Sequence, residues 1–248
     1  MDLGLANSVA LVTGGARGIG AATVTALVRE GCHVAVVDRD FAAAEALCGS
    51  LATAEQRVSA HEADVAHVAR AERVLEEVVE AHGRLDLLIC NAGITRDAVS
   101  WKMSEAQFDE VLAVNLKGCF AYCRAAAMQF KQQQAGRIIN VASINGLRGK
   151  FGQANYTAAK AGMIGMSKTL ARELGRYGVT VNVVAPGMVR TEMAAELPAD
   201  VVAQAETEAV LGRIAEPADV ANAVVFLASA AAKHITGEVI RVDGGQYI

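Results

Sequence analysis

What most constrains this chain is an alternation. Short apolar runs, rich in valine, isoleucine and leucine, take turns with stretches of helical periodicity. The runs are SVALVT (8–13), HVAVVD (33–38), RVSAHEADV (57–65), RLDLLIC (84–90), GRIINVAS (136–143), GVTVNVVAPG (178–187) and GEVIRVDGG (237–245). Between them lie AATVTALVRE (21–30), FAAAEALCGSLA (41–52), VARAERVLEEVVEAHG (68–83), a run from Ser104 to Gln134, another from Ala154 to Gly178, and EPADVANAVVFLAS (216–229). Strands that are apolar on both faces belong inside a parallel sheet, and parallel strands need crossover helices. With right-handed crossovers this predicts an α/β fold, a doubly wound parallel sheet with helices on both faces. At 248 residues, 53% apolar and with three prolines, the chain suits a single domain.

Ligands of such sheets sit at the carboxyl ends of the strands. The first run leads into Gly14-Gly15-Ala16-Arg17-Gly18-Ile19-Gly20 and then a helix, the context a dinucleotide fingerprint requires. Gly14 would permit the tight turn, Gly18 a close approach of backbone to a pyrophosphate, and Gly20 the packing of helix on sheet. Asp38 ends the second strand, where a carboxylate accepts both ribose hydroxyls of an adenosine and repels a 2′-phosphate. NAD(H) is therefore favoured over NADP(H), although Arg17 and Arg39 are both placed to reach a phosphate. Asp64 could touch the adenine edge or cap the following helix. Asn91-Ala92-Gly93 closes the fourth strand with residues small enough for backbone to lie against a cofactor.

Tyr156 and Lys160 stand four apart on a predicted helix, so both leave one face, a turn from each other. A phenol of pKa about 10 is a weak acid/base near neutrality, and a fixed ammonium favours the phenolate. Reaching roughly 7 requires about 4 kcal/mol, which the lysine and a cationic nicotinamide could supply together. Ser143, at a strand end, can hold a carbonyl or alcohol oxygen. Asn115 lies in the apolar stretch VLAVNLKGCF, and a buried amide must find partners or cost about 1–3 kcal/mol.

Net charge is −4 with no basic run, which gives nucleic acid or an anionic membrane no electrostatic purchase. The N-terminus lacks a basic, long-apolar leader pattern, so a cytoplasmic location is expected. Five cysteines without a C-x-x-C pair read as reduced core thiols, and no metal is expected, since Cys119 and Cys123 have no nearby histidine or carboxylate cluster. The alanine-rich segment 188–212 is a candidate mobile lid over a substrate, with Trp101 and Phe151 as candidate pocket linings.

Thr13-Gly14-Gly15-Ala16-Arg17-Gly18-Ile19-Gly20, Asn91-Ala92-Gly93, Asn115, Ser143, Tyr156-x-x-x-Lys160 and Pro186-Gly187 resemble, in order and separation, the short-chain dehydrogenase/reductase superfamily. The resemblance covers essentially the whole chain. It implies a Rossmann-type seven-stranded sheet and a catalytic tetrad of Asn115, Ser143, Tyr156 and Lys160. In that scheme Tyr156 moves the proton, Lys160 binds the nicotinamide ribose, Ser143 orients the substrate oxygen and Asn115 holds a water. Gly14, Arg17, Gly18, Ile19, Gly20, Asp38, Asp64, Val65, Asn91, Ala92, Gly93, Pro186, Gly187 and Thr191 would contact the cofactor, along with Tyr156 and Lys160. Members are usually homotetramers built on the helix from Asn115 onward and the helix of Tyr156.

The stretches 93–97, 143–156 and 181–193 look most like 3-oxoacyl-acyl-carrier-protein reductases and acetoacetyl-CoA reductases, which implies a 3-oxoacyl thioester as substrate. The carrier-protein enzymes dock an acidic partner through basic residues where this chain has Gln134 and Tyr177, so an acyl carrier protein is a weaker expectation here than a CoA thioester. An NAD-dependent dehydrogenase of another secondary alcohol, or a non-catalytic NAD-binding subunit, is the alternative. Cys90 departs from the asparagine many members carry, at a place expected close to the adenosine ribose.

Overall fold

The computed structural model describes residues 3–195 and 197–248. Seven strands form one sheet with every neighbour parallel: β1 (Val9–Thr13), β2 (His33–Asp38), β3 (Val58–Glu62), β4 (Leu87–Cys90), β5 (Gly136–Val141), β6 (Val179–Pro186) and β7 (Val239–Val242), in the order β3-β2-β1-β4-β5-β6-β7. Side chains alternate across β1: Val9 and Leu11 enter one core, Ala10 and Val12 the other. Both faces are covered, which is why the strand reads as an unbroken apolar run.

The first core lies under α3 (Val68–His82), α5 (Cys119–Gln133) and α7 (Ala154–Leu174), the second under α1 (Gly18–Arg29), α2 (Phe41–Leu51) and α10 (Pro217–Ala228). Local chemistry sets the helix ends. Asp40 caps α2 by accepting from the Ala43 N–H (3.1 Å), and Gly83 ends α3 at φ 74°. Shorter helices α4 (Glu105–Leu112), α6 (Asn145–Arg148), α8 (Glu192–Ala195) and α9 (Ala199–Glu208) sit beyond the sheet's carboxyl end. Among the described residues no helix is long and apolar enough to cross a membrane.

The predicted helix from Ser104 to Gln134 is not continuous. Ser104 and Gln107 form a reciprocal capping box at the start of α4, and residues Ala113–Gly118 then open into a π-helical turn before α5. Asn115 sits in that turn. Of the two roles read for Asp64, the helix cap is not taken: α3 starts at Val68 with His67 in the cap position, and Asp64 closes a local turn by accepting from the Ala66 N–H (2.9 Å).

Because β1 is flanked by β2 on one side and β4 on the other, the chain order reverses between β1 and β4. Their carboxyl ends, Thr13 and Cys90, stand in register and open the crevice in which such sheets bind ligands.

Candidate active site

The loop from β1 into α1 is shaped by three glycines with different tasks. Gly14 has φ +61°, and a Cβ there would lie 2.7 Å from the Ala92 Cα, so two backbones touch. Gly18, at φ +52°, faces the Thr191 side chain. Gly20 lets α1 come close to the carboxyl ends of β1 and β4: its Cβ would sit 1.9 Å from the Gly14 carbonyl oxygen and 2.7 Å from Asn91 Nδ2. It closes the loop on itself. Ile19, in the first turn of α1, packs against the second core.

Asn91 locks this loop to β4. Its Nδ2 donates to the carbonyls of Thr13 (3.2 Å) and Gly14 (2.8 Å), while Thr13 Oγ1 accepts from the Asn91 and Ala92 N–H groups. Asp38 braces the far side, accepting from the N–H of Ala16 (3.1 Å) and of Asp40 (3.0 Å). Arg17 is ion-paired with Asp40, and Arg39 is exposed. The guanidinium of Arg17 is thus already matched by a carboxylate. Val65 is buried, its atoms within contact range of a Cβ at Gly118. Backbone cradle, bracing carboxylate and absent side chains together fit a dinucleotide.

Cys90 does not point to this crevice. Its thiol turns into the first core beside Cys119 and Cys123, so the expected contact with an adenosine ribose is not made.

Across the crevice, Asn115 is completely buried and its carboxamide is engaged at both ends, accepting from the Ile94 N–H (2.8 Å) and donating to the Ile94 carbonyl (2.9 Å). It clamps the segment after β4. A Cβ on Gly93 would lie 3.4 Å from Asn115 Oδ1 and 3.6 Å from Lys160 Nζ, so this glycine keeps the floor of the cleft clear.

Ser143 follows β5, and its Oγ accepts from the Asn145 N–H (3.1 Å). Tyr156, in the first turn of α7, is half-buried, with the Ser143 side chain close enough to act on its hydroxyl. Lys160, one turn on, is buried, donates to the Val141 carbonyl (2.7 Å) and lies 5.6 Å from the centre of the Tyr156 ring. Gly146 makes room for it, since a Cβ there would be 2.9 Å from the Lys160 backbone carbon. The expected lowering of the phenol needs the cationic nicotinamide as well as Lys160, and among the chain's own groups burial dominates. Burial pushes Tyr156 up to about 12, against the pull of Ser143 and with a further push from Asp97. Burial also brings Lys160 down to about 8, which weakens it as a stabiliser of phenolate.

A third wall comes from the end of β6. Gly187 packs against Gln246, whose Oε1 accepts from the Met188 N–H (2.8 Å) and whose Nε2 donates to the Ala205 carbonyl (3.0 Å). Pro186 accepts from the Ile144 N–H (2.9 Å), which joins β6 to the Ser143 turn. Thr191 begins the segment that carries α8. Arg148 ties α9 down by reaching both the Gln246 carbonyl (3.0 Å) and Glu208 (3.2 Å). Of the candidate lid, Glu196 lies outside the described residues. Trp101 and Phe151, 77% and 83% exposed, do not line an enclosed pocket.

Sequence reasoning missed a supporting network. Gln153 bridges Asp97 (2.8 Å) and Asn145 (3.0 Å), and the buried Asn155 donates to the carbonyls of Arg96 and Gln107. These residues set the start of α7 and hence Tyr156. The available signal was the polar string Gln153-Ala154-Asn155 opening a helix that is packed on its neighbours.

The comparisons with known proteins agree with this geometry. Residues 8–202 match the family described as short chain dehydrogenase. The chain is 43% identical over 243 residues, 96% of it and 98% of the relative, to a 3-oxoacyl-[acyl-carrier-protein] reductase of Staphylococcus aureus. It is 40% identical over 244 residues to the protein of that name in Thermotoga maritima, covering 98% and 99% of the two chains. It is also 40% identical over 242 residues to an acetoacetyl-CoA reductase of Acinetobacter, covering 97% and 98%.

Proposed function

The chain belongs to the short-chain dehydrogenase family and is an NAD(P)-dependent oxidoreductase; from that premise we propose that it reduces a 3-oxoacyl thioester to the 3-hydroxyacyl product, with NADH as donor. The observation that carries the reading is the placement of Tyr156 beside Ser143 and one helical turn from the buried Lys160. A phenol held at about 12 is neutral throughout the physiological range, which makes it a proton donor to a developing alkoxide. The nicotinamide, when bound, supplies the hydride to the carbonyl carbon. Ser143 Oγ and Tyr156 Oη hold the carbonyl oxygen, Tyr156 passes its proton to that oxygen, and Lys160 holds the nicotinamide ribose. Asn115 positions the Ile94 segment that floors the cleft. The thioester assignment rests on the relatives named above, an acetoacetyl-CoA reductase among them. Initial rates with NADH and NADPH against acetoacetyl-CoA, an acyl-carrier thioester and a set of secondary alcohols test it. Activity confined to alcohol oxidation would replace it with the dehydrogenase alternative.

Preference for NADH rests on Asp38, with Arg17 already paired to Asp40. Asp38→Ser should raise the NADPH/NADH ratio of kcat/KM at least tenfold, about 1.4 kcal/mol. A ratio unmoved by the substitution means that Asp38 does not read the ribose.

Lys160 makes cofactor binding pH-dependent. Its ammonium is fully present well below about 8 and is lost as the pH rises through that value. A hydrogen bond from a charged donor contributes roughly 1.5–3 kcal/mol against about 0.5–1.5 for a neutral one, a difference of about 1–1.5 kcal/mol. NADH affinity, followed by fluorescence titration, should therefore fall by about tenfold between pH 7 and 9.5, and Lys160→Met should bind weakly with a flat profile. The same slope in the variant would remove Lys160 from the ribose.

A CoA thioester is the favoured acyl carrier. Lys131 and Arg176 do flank Tyr177, at 5.3 and 4.8 Å from its ring centre, and give an acidic carrier protein a small docking point. The homotetramer reading is supported by a mainly apolar groove of Leu112, Leu116, Phe120 and Met166, with Asp109 and Lys117 also lining it; a monomer by light scattering would remove it. Closure is proposed only for the stretch around α8, because α9 is anchored through Gln246 and Arg148. A cytoplasmic location is kept as part of this reading.

A further inference from the structure

The reaction makes no use of three thiols that meet beneath the cleft. Cys90 ends β4, and Cys119 and Cys123 lie one turn apart at the start of α5. All three are buried, and their sulfurs lie within 4.8 Å of one another, with Cys90–Cys123 at 3.9 Å and Cys119–Cys123 at 4.0 Å. A fourth donor faces them. Asn140 Oδ1 stands 3.3 Å from Cys119 Sγ and 3.6 Å from Cys123 Sγ. Its orientation is fixed from behind, since Asn140 Nδ2 donates to Ser167 Oγ (2.8 Å), which in turn donates to the Met163 carbonyl (2.7 Å). This is the pattern by which outer hydrogen bonds aim a metal ligand.

A tetrahedral zinc with Zn–S of about 2.3 Å and Zn–O of about 2.1 Å requires S···S of roughly 3.8 Å and S···O of roughly 3.6 Å. The Cys90–Cys123 and Cys119–Cys123 separations and both distances to Asn140 Oδ1 lie within about 0.3 Å of these values, and Cys90 and Cys119 lie within 4.8 Å of each other. We propose that Cys90, Cys119 and Cys123, with Asn140 Oδ1, form a binding site for one thiophilic divalent cation of the zinc class. Binding replaces three S–H bonds by three metal–sulfur bonds and releases three protons to solvent. The resulting site carries one net negative charge, and the Lys160 ammonium interacts electrostatically with Cys119 and Cys90 from the cleft side. Cys90 precedes Asn91, so the cation ties the end of β4, which holds the glycine loop, to β5 and α5.

The competing account is that the thiols only satisfy the Asn140 oxygen as weak donors. The full chain, expressed with zinc or equilibrated with zinc or cadmium chloride and then desalted, decides between them. The site predicts about one metal per chain, a thiolate-to-cadmium charge-transfer band, and X-ray absorption showing about three sulfurs near 2.3 Å from zinc. Cys90→Ala and Cys123→Ala should each lose the metal and the band, while Cys48→Ala keeps both. Substoichiometric metal with all thiols titratable, retention of metal by Cys90→Ala, or a Cys90–Cys123 disulfide in place of metal would each overturn it. Should the variants fail to fold, the sulfur count around zinc in the unaltered chain still decides.

Discussion

Tyr156→Phe should lower kcat for ketone reduction about a thousandfold, near 4 kcal/mol, while leaving NADH affinity within about twofold. The ring survives the change, so its packing below Lys160, 5.6 Å from Nζ, and the start of α7 are retained. Only the hydroxyl beside Ser143 is removed. A loss confined to the chemical step is the signature of a group that acts in the transition state. Single-turnover stopped-flow with NADH and acetoacetyl-CoA, beside a fluorescence titration of NADH, separates the two quantities. If more than about a tenth of kcat remains, a barrier change below 1.4 kcal/mol, then another group delivers the proton.

The second large effect belongs to Gly20→Ala. In an ordinary helix interior the change would stabilise by up to about 1 kcal/mol through propensity. Here the new methyl would stand 1.9 Å from the Gly14 carbonyl oxygen, a backbone atom that Asn91 also holds. The loop has to move as a unit, away from Asn91 and from the Asp38 brace on Ala16. Overpacking of this kind costs about 1–3 kcal/mol, so the melting temperature should fall by several degrees. NADH affinity should fall by about a hundredfold, because the displaced backbone donors are those placed for the pyrophosphate. Gly49→Ala in α2 is the control: a Cβ there meets nothing within 4 Å, and the variant should be as stable as the parent or more so. NADH binding by Gly20→Ala at the parent's affinity would show that the loop does not cradle the cofactor.

These two positions mark how far the letters reach. The apolar runs located the five inner strands, where burial leaves a composition that is hard to mistake, and the edge strands β3 and β7 followed from the alternation with helices. The four-residue step from Tyr156 to Lys160 placed them together, because helical spacing is local. What failed to show was long-range. The π turn at Asn115 falls inside an apolar stretch whose pattern continues smoothly, so nothing in the spacing marks it. That Gly20 stands against the Gly14 carbonyl is a fact of how the chain returns on itself. Cys90 is twenty-nine residues from Cys119 in sequence, and only the pairing of β4 with β5 and the packing of α5 bring the thiols together. The cation four residues from Tyr156 is visible in sequence, whereas the burial that raises the phenol and lowers Lys160 in the chain alone is not.

The most direct measurement is a crystal structure of the chain with NADH and a non-reducible 3-oxoacyl thioester analogue. The account requires the analogue's keto oxygen within hydrogen-bonding distance, about 2.6–3.2 Å, of both Ser143 Oγ and Tyr156 Oη, with the nicotinamide C4 facing the keto carbon and Lys160 on the ribose. A nicotinamide ring lying away from Tyr156, with that hydroxyl bonded elsewhere, would contradict it.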